Sequence, residues 1–550
     1  MTRAALVLLL VAACSSGAKR VGKQPSWRGG AASKQVARVT FAPASLPAVR
    51  YNEPLQAPPK SALGDAVVAA VRDAAITAKL PMPAADARLF RACAELAQVV
   101  PEDGVIGYSV VEFAMQRNGI IEPSPYLLIV WDDISNLATI VEQLKPRFSE
   151  ILADGATARV GVGAAKRKSD GTGAIVFALQ ASGVSTTPIP RSVAAGGAFA
   201  IDAVVDTRYR DPELFVTRDN GNTERLPINV GKQGAFKAEV ACGKNTGKQQ
   251  VEITASDASG STVLANFPVW CGVDPPLTIT IEPTHDDDVV VSAEEAEKRL
   301  LALMNRDRQA AGLAPLMWDD RVTAVSRAHS EDMRKTKTVA HISPTTGSAA
   351  DRTRAAGIKT AVVLENVARA YGVGEAHAGL MNSPGHRANV LASAATHVGI
   401  GVILGDEVSG RREMFLTQVF IRIPPKVEPA QAADIVRQRI NTVRPVIVNA
   451  KLQAIAQELA EGLAVGKTRD SLWPGARKKL DAMNTAYSRV GSVVSAVAEM
   501  ESIDGPSLVG DYKPDDIGVG IAQGNHPDIG EGAIWIVVLM AERLPAKKTR

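Results

Sequence analysis

Histidine is scarce in this chain, with seven in 550 residues and none before His285, so no site that needs imidazole lies in the first half. Cysteine is scarcer still, with Cys14, Cys93, Cys242 and Cys271 alone, too few for a disulfide-built scaffold. Aromatic residues make up 4% of the sequence. No stretch stacks Lys and Arg with aromatics between them, and basic and acidic residues nearly cancel at 62 against 58. Nucleic acid is therefore not expected as a partner. No His-Glu-x-x-His segment occurs, which removes the commonest helical zinc-protease pattern. At this length the chain exceeds one hydrophobic core and divides into several units.

The longest uninterrupted apolar stretch at the N-terminus, Ala4 to Val11, follows Arg3 and precedes Ala12-Ala13-Cys14. It is too short to span a membrane as a helix and reads as a signal peptide over 1–13. Val11-Ala12-Ala13-Cys14 resembles a lipobox, which implies lipidation of Cys14. The other reading is an ordinary leader followed by an incidental cysteine. With Ser15 in place of a retention Asp, the resemblance implies an outer-membrane address. Residues 14–59 are rich in Ser, Gly, Ala, Pro and Lys without periodicity and read as a flexible tether.

Beyond the tether a glycine-patterned strand occurs three times: Val160-Gly161-Val162-Gly163, Val398-Gly399-Ile400-Gly401 and Ile517-Gly518-Val519-Gly520. A second apolar run begins at Phe177, Phe415 and Ile534, fourteen residues after the last glycine in every case. One antiparallel hairpin used three times explains that register. Upstream helices carry matching apolar stripes: Leu89, Leu96 and Val100; Val322, His329 and Met333; Leu452, Leu459 and Leu463. The expected units are 60–185, 290–424 and 430–545. Between the first two, residues 191–282 change to short alternating stretches separated by turn clusters such as Asp219-Asn220-Gly221-Asn222, the pattern of an immunoglobulin-like β-sandwich. Cys242 and Cys271 fall at strand ends there and are expected to form a disulfide. Cys93 lies on an apolar stripe and reads as an inert buried thiol.

The central unit opens with Ser292 and Glu295 in capping-box spacing, followed by Ala296, Leu300, Leu303 and Met304 on one helical face. Gly312-Leu313-Ala314-Pro315-Leu316, Trp318-Asp319, Ala340-His341-Ile342-Ser343-Pro344, Leu364-Glu365-Asn366-Val367-Ala368 and Met381-Asn382-Ser383-Pro384-Gly385-His386-Arg387-Ala388-Asn389 follow. Together these motifs resemble a bacterial CAP (SCP) domain, of the cysteine-rich secretory, antigen 5 and pathogenesis-related superfamily. The resemblance implies an α-β-α sandwich in the central unit of an α+β chain, and the shared hairpin register, with no histidine before His285 and only His526 in the last unit, makes the outer units degenerate copies of it. The resemblance also implies a cleft holding His341, Glu365 and His386. Many members carry a further Glu three residues before the second histidine, where this sequence has Ser383.

Two imidazoles beside a carboxylate suit a weakly held divalent metal such as zinc, one ligand short of a catalytic set. Ser383, His386 and Glu365 alternatively form a nucleophile, base and orienting acid. Ser383 precedes Pro384, however, and is expected to cap a helix with its hydroxyl bonded to backbone N–H groups. His329 is expected to pack on the inner helical face, with His377 and His397 solvated or outside the ligand set. The expected function is a lipid-anchored or extracellular envelope module that binds a lipid, cell-wall component or protein, the alternative being a peptidase or esterase.

Overall fold

The structure is a computed structural model that describes residues 5–9, 39–54, 56–102, 106–153, 155–281, 292–408, 411–483 and 485–545. Cys14 and most of the expected tether lie outside the described residues. The chain is α+β. Three mixed sheets share one strand order: a two-residue edge strand, the two arms of a hairpin, then an antiparallel outer strand. In the central unit these are Met317–Trp318, His397–Val408, Arg411–Ile421 and Val363–Ala370. In the first unit they are Ala84–Ala85, Thr157–Lys166, Thr172–Ala181 and Tyr126–Asp133. The last unit uses Ile447–Val448, Asp516–His526, Gly530–Arg543 and Tyr487–Val497. In the first sheet Ala5–Leu9, within the stretch read as a leader, pairs along the free edge of Tyr126–Asp133.

The repeated glycines let a helix lie directly on the sheet. A Cβ added at Gly401 would stand 2.1 Å from the backbone nitrogen of Arg327, and one at Gly399 would stand 2.2 Å from that of Thr323. The same closeness recurs at Gly163 against Ala94 and at Gly520 against Ala456. No side chain fits between strand and helix at these crossings. In the central unit the helix so seated is Asp320–Thr336, started by the Asp319 side chain accepting from the N–H groups of Arg321 and Val322. Val398, Ile400 and Val402 point to the opposite layer, as period-two alternation requires, and pack with Leu300 and Met304 of the helix Ala293–Ala310 and Leu380 of the helix Val373–Asn382. Ser292 caps the first of these through the N–H of Glu295.

The insert is a two-sheet sandwich, five strands against three, with Ile201, Leu214, Val251, Ile253, Phe267 and Val269 in its core. Cys242, at the end of Ala235–Ala241 in the smaller sheet, is bonded to Cys271 in the larger one, with Cα atoms 5.6 Å apart. The first unit and the sandwich also recruit chain that the sequence reading placed in the tether. Val39–Phe41 pairs with Ile279–Ile281, and Arg50–Tyr51 pairs with Ile189–Pro190. Tyr51 is fully buried against Phe267 and donates its hydroxyl to the Pro268 carbonyl. The tether reading of 14–59 is corrected to that extent: two- and three-residue strands among prolines leave no periodicity to detect.

Candidate functional site

The expected site residues come from four separate pieces of the central unit. His341 sits in the loop after the helix Asp320–Thr336, Glu365 on the strand Val363–Ala370, and Ser383 and His386 at the junction of the helices Val373–Asn382 and Pro384–Val390. The imidazole centroids of His341 and His386 lie 6.4 Å apart with planes inclined by 22°. His341 Nδ1 is 2.9 Å from Glu365 Oε1, and the other carboxylate oxygen accepts from Arg352 Nη2. Burial alone pushes Glu365 up, but the His341 hydrogen bond and the charges of His341 and Arg352 hold its carboxyl below the usual range. His386 Nδ1 is 2.6 Å from Ser383 Oγ. Burial, with a smaller contribution from His341, lowers His386 to about 3, so this ring is neutral at physiological pH. Buried Asn366 donates to the His386 carbonyl at 3.2 Å, and Asn389 donates to the Glu365 carbonyl at 3.1 Å, tying the two halves of the cleft together. Each ring is thus anchored through Nδ1, which leaves Nε2 to meet a ligand.

One further residue reaches the cleft from another domain. Glu252, on the sandwich strand Gly247–Asp257, lies with Oε2 2.5 Å from Ser383 Oγ and Oε1 2.8 Å from the Gly385 nitrogen. It is fully buried, and burial pushes its carboxyl up to about 7 against the pull of those two hydrogen bonds. The expectation that backbone N–H groups occupy the Ser383 hydroxyl is corrected here. Ser383 is the N-cap of the short helix but makes no side-chain cap bond. Glu252 takes the Gly385 N–H instead, which frees the hydroxyl to bridge carboxylate and imidazole. Sequence alone misses Glu252 because it alternates with Val251 and Ile253 and so reads as the solvent side of a strand.

The sandwich also grips both histidine loops. The Ser259 carbonyl accepts from the N–H groups of His341 and Ile342, each at 2.9 Å. A Cβ at Gly260, whose φ is +104°, would meet the His341 Cβ at 2.8 Å, so that turn needs glycine twice over. Arg387 Nε donates to the Gly221 carbonyl at 3.0 Å, and Lys248 donates to Asn382 Oδ1 at 3.3 Å. Asn382 in turn donates to both oxygens of Glu112 in the first unit, at 3.1 Å each.

These contacts decide what the cleft can hold. Both Glu365 oxygens are engaged, so the nitrogens free to ligate are the two Nε2 atoms. Among the described residues, no group of three or more His, Cys, Asp or Glu is arranged around a metal position. The residues do not fit the three-ligand set of a catalytic zinc. As a triad the site is also misordered, because Glu365 orients His341 while the carboxylate near Ser383 touches the hydroxyl rather than the ring. The remaining histidines are held elsewhere. His329 is buried with Nε2 2.8 Å from the Ala340 carbonyl, His377 pairs with Asp307 at 2.8 Å, and His397 Nδ1 is 2.9 Å from Thr396 Oγ1.

Comparison with known proteins finds relatives for the central unit. Residues 301–420 match the model of the CAP, or cysteine-rich secretory protein, family. The uncharacterized protein YkwD of Bacillus subtilis is 36% identical over 126 residues, covering 22% of this chain and 49% of that protein. The uncharacterized membrane protein YlbC of the same organism is 40% identical over 108 residues, covering 20% and 31%. The match therefore spans about half of one curated relative and a third of the other. Solved structures that resemble the chain include an extracellular SCP-domain protein from Bacillus anthracis, at TM-score 0.21 and 18% identity over 50% of this chain and 91% of that one. An outer surface protein from Borrelia burgdorferi matches at TM-score 0.22 and 16% identity over 25% and 99%. The central unit, with its α-β-α layering and its paired histidines, is the part of the chain that matches the CAP family, over residues 301–420.

Proposed function

We propose that this chain is a secreted cell-envelope protein, anchored through Cys14, whose CAP cleft binds a ligand rather than turning one over. The observation that carries this reading is the pair of imidazoles 6.4 Å apart, each held at Nδ1 by its own partner. The two Nε2 atoms are then left for one bound group. That group is a lipid, cell-wall component or protein presenting O–H or N–H donors. Weak coordination of a divalent ion by the same two nitrogens is compatible with it. Ser383 adds no free nucleophile, since its hydroxyl lies between Glu252 and His386.

Co-sedimentation of the full chain with purified peptidoglycan sacculi and with anionic lipid vesicles tests the reading. Wild type should bind one of them, and His341→Ala and His386→Ala should each weaken that binding about tenfold, the loss expected for roughly one charge-free hydrogen bond in a dry cleft. Equal binding by all three proteins refutes it. The hydrolase reading draws on the 2.6 Å contact between Ser383 and His386. It requires turnover of peptide or ester substrates that Ser383→Ala abolishes.

A further inference from the structure

We infer that Glu252 is a positioning residue of the CAP cleft, supplied by the β-sandwich, which acts through Ser383 to fix the tautomer of His386 so that Nε2 is a hydrogen-bond acceptor. The inference rests on the ligand-binding reading and deepens it by assigning the polarity of the cleft at His386: an acceptor facing a ligand that brings a donor.

The argument begins with the strand. Val251, Ile253 and Ala255 point into the sandwich core, so Gln250, Glu252 and Thr254 occupy the outward face. That face is ordinarily wet, yet here these three side chains are all buried, Glu252 completely, where Ser383 and Gly385 of the central unit lie against it. A carboxylate in such a place needs donors, and the structure provides two. The Gly385 N–H can only donate, which makes Oε1 an acceptor at 2.8 Å. With Glu252 ionised, as it is above about pH 7, the Ser383 hydroxyl at 2.5 Å gives its one proton to Oε2. Its oxygen must then accept from His386, so the proton of the neutral ring sits on Nδ1, 2.6 Å away. The lone pair is left on Nε2.

His341 is oriented by a shorter route, with Nδ1–H donating directly to Glu365. Each of two domains therefore supplies the carboxylate that orients one ring. Ser383 stands where many members of the family carry a Glu, and the carboxylate that replaces it arrives 131 residues away in sequence. The grip of Ser259 on the His341 loop and of Lys248 on Asn382 holds the sandwich in the position this requires.

The test uses the full chain at pH 8 and diethyl pyrocarbonate, which attacks an imidazole nitrogen that carries a lone pair, with modification at His386 and His341 followed by peptide mass spectrometry. Glu252→Gln keeps the shape and reverses the polarity. Its amide oxygen takes the Gly385 N–H, its amide N–H donates to Ser383, and Ser383 donates to Nδ1, which moves the ring proton to Nε2. His386 modification should slow at least fivefold while His341 stays within twofold of wild type. Adding Ser383→Ala to the variant removes the relay and should restore the His386 rate to that of Ser383→Ala alone.

An unchanged His386 rate in Glu252→Gln, or a fall that persists in the double variant, overturns the inference. A measurement on wild type needs no variant of Glu252 to fold. Ring nitrogens in [15N]histidine-labelled protein, with His386 assigned by His386→Gln, should show a pyrrole-type Nδ1 and a pyridine-type Nε2, and the reverse assignment also overturns it. Neither readout involves a ligand. Failure here is therefore distinct from failure of the binding reading, which the sedimentation assay alone decides.

Discussion

Replacing Gly401 by alanine probes the feature on which the central unit's architecture depends. The added Cβ would stand 2.1 Å from Arg327 N, 2.3 Å from Ser326 C and 2.6 Å from Arg327 Cα, all helix backbone. No rotamer change relieves a clash with backbone, so the helix Asp320–Thr336 must retreat from the sheet by more than an ångström to reach ordinary contact, which begins near 3.4 Å. That retreat breaks two buried hydrogen bonds across the gap, Ser326 Oγ to the Gly399 carbonyl at 2.9 Å and Ser330 Oγ to the Gly401 carbonyl at 2.8 Å. Overpacking costs about 1–3 kcal/mol and each lost bond about 1 kcal/mol, so Gly401→Ala should destabilise the central unit by about 3–5 kcal/mol. Gly475→Ala supplies the opposite sign. Gly475 is exposed within the helix Arg469–Asp481 with nothing near its absent Cβ, and alanine there should stabilise by about 0.5–1 kcal/mol. Because several domains unfold in one chain, the quantity to follow is hydrogen exchange of residues 320–336 against urea rather than a global melt. A Gly401→Ala protein whose helix opens within about 1 kcal/mol of wild type would show that the strand and helix are not locked by glycine, and the reasoning would fail.

Four other outcomes are expected. Glu112 and Glu252 are both pushed up to about 7 by burial, so the folded state holds their protons more tightly than the unfolded chain, whose carboxyls titrate near about 4.3. Each carboxylate should therefore cost the junction of first unit, sandwich and central unit up to about 3 kcal/mol as pH rises towards 7, while buried His386, lowered to about 3, acts in the opposite direction; comparison with Glu112→Gln and Glu252→Gln isolates the carboxylates, and a stability gain of either variant over wild type that shrinks as pH rises would contradict this. Calorimetric titration with zinc should give weak binding that either His341→Ala or His386→Ala abolishes, and equal binding by all three proteins removes metal from the account. Reduction of the Cys242–Cys271 bridge, which closes a separation of 29 residues, should cost the sandwich about 2–4 kcal/mol, read as a lower melting temperature of that domain. Cys14→Ser should release the protein from membranes, and a variant that still sediments with them after a high-salt wash would refute the anchor.

How much of this was legible in the sequence depends on whether a signal is local. The glycine-patterned strand is visible because Gly399 and Gly401 sit two residues apart on one face, and the structure supplies the reason in the backbone of the helix they meet. The helix face of Leu300 and Met304 and the cap at Ser292 are local too, and they stand where the periodicity put them. His341, Glu365 and His386 were legible through resemblance to a family, because their spacing in sequence carries no geometry. Their separation and the engagement of both Glu365 oxygens come only from the fold. Tyr51 was not legible. A single aromatic in a proline-rich stretch gives no period, although its ring completes the sandwich core.

Glu252 shows why the rest stayed hidden. Periodicity reports which side of a strand faces that strand's own core, and it reads Gln250, Glu252 and Thr254 correctly as the other side. It carries no information about what lies against that other side, because a polar face turned to water and a polar face turned to a neighbouring domain obey the same alternation. The difference is energetic. Facing water, Glu252 would keep an ordinary carboxyl, whereas under the central unit it is fully buried and raised, and it survives there only because Gly385 and Ser383 donate to it. Those donors are themselves conspicuous in sequence for the opposite reason, since Ser383 departs from the family's acidic residue. A missing charge in one domain and an unexplained one in another thus form a single site, and only the docking of the two domains makes that visible.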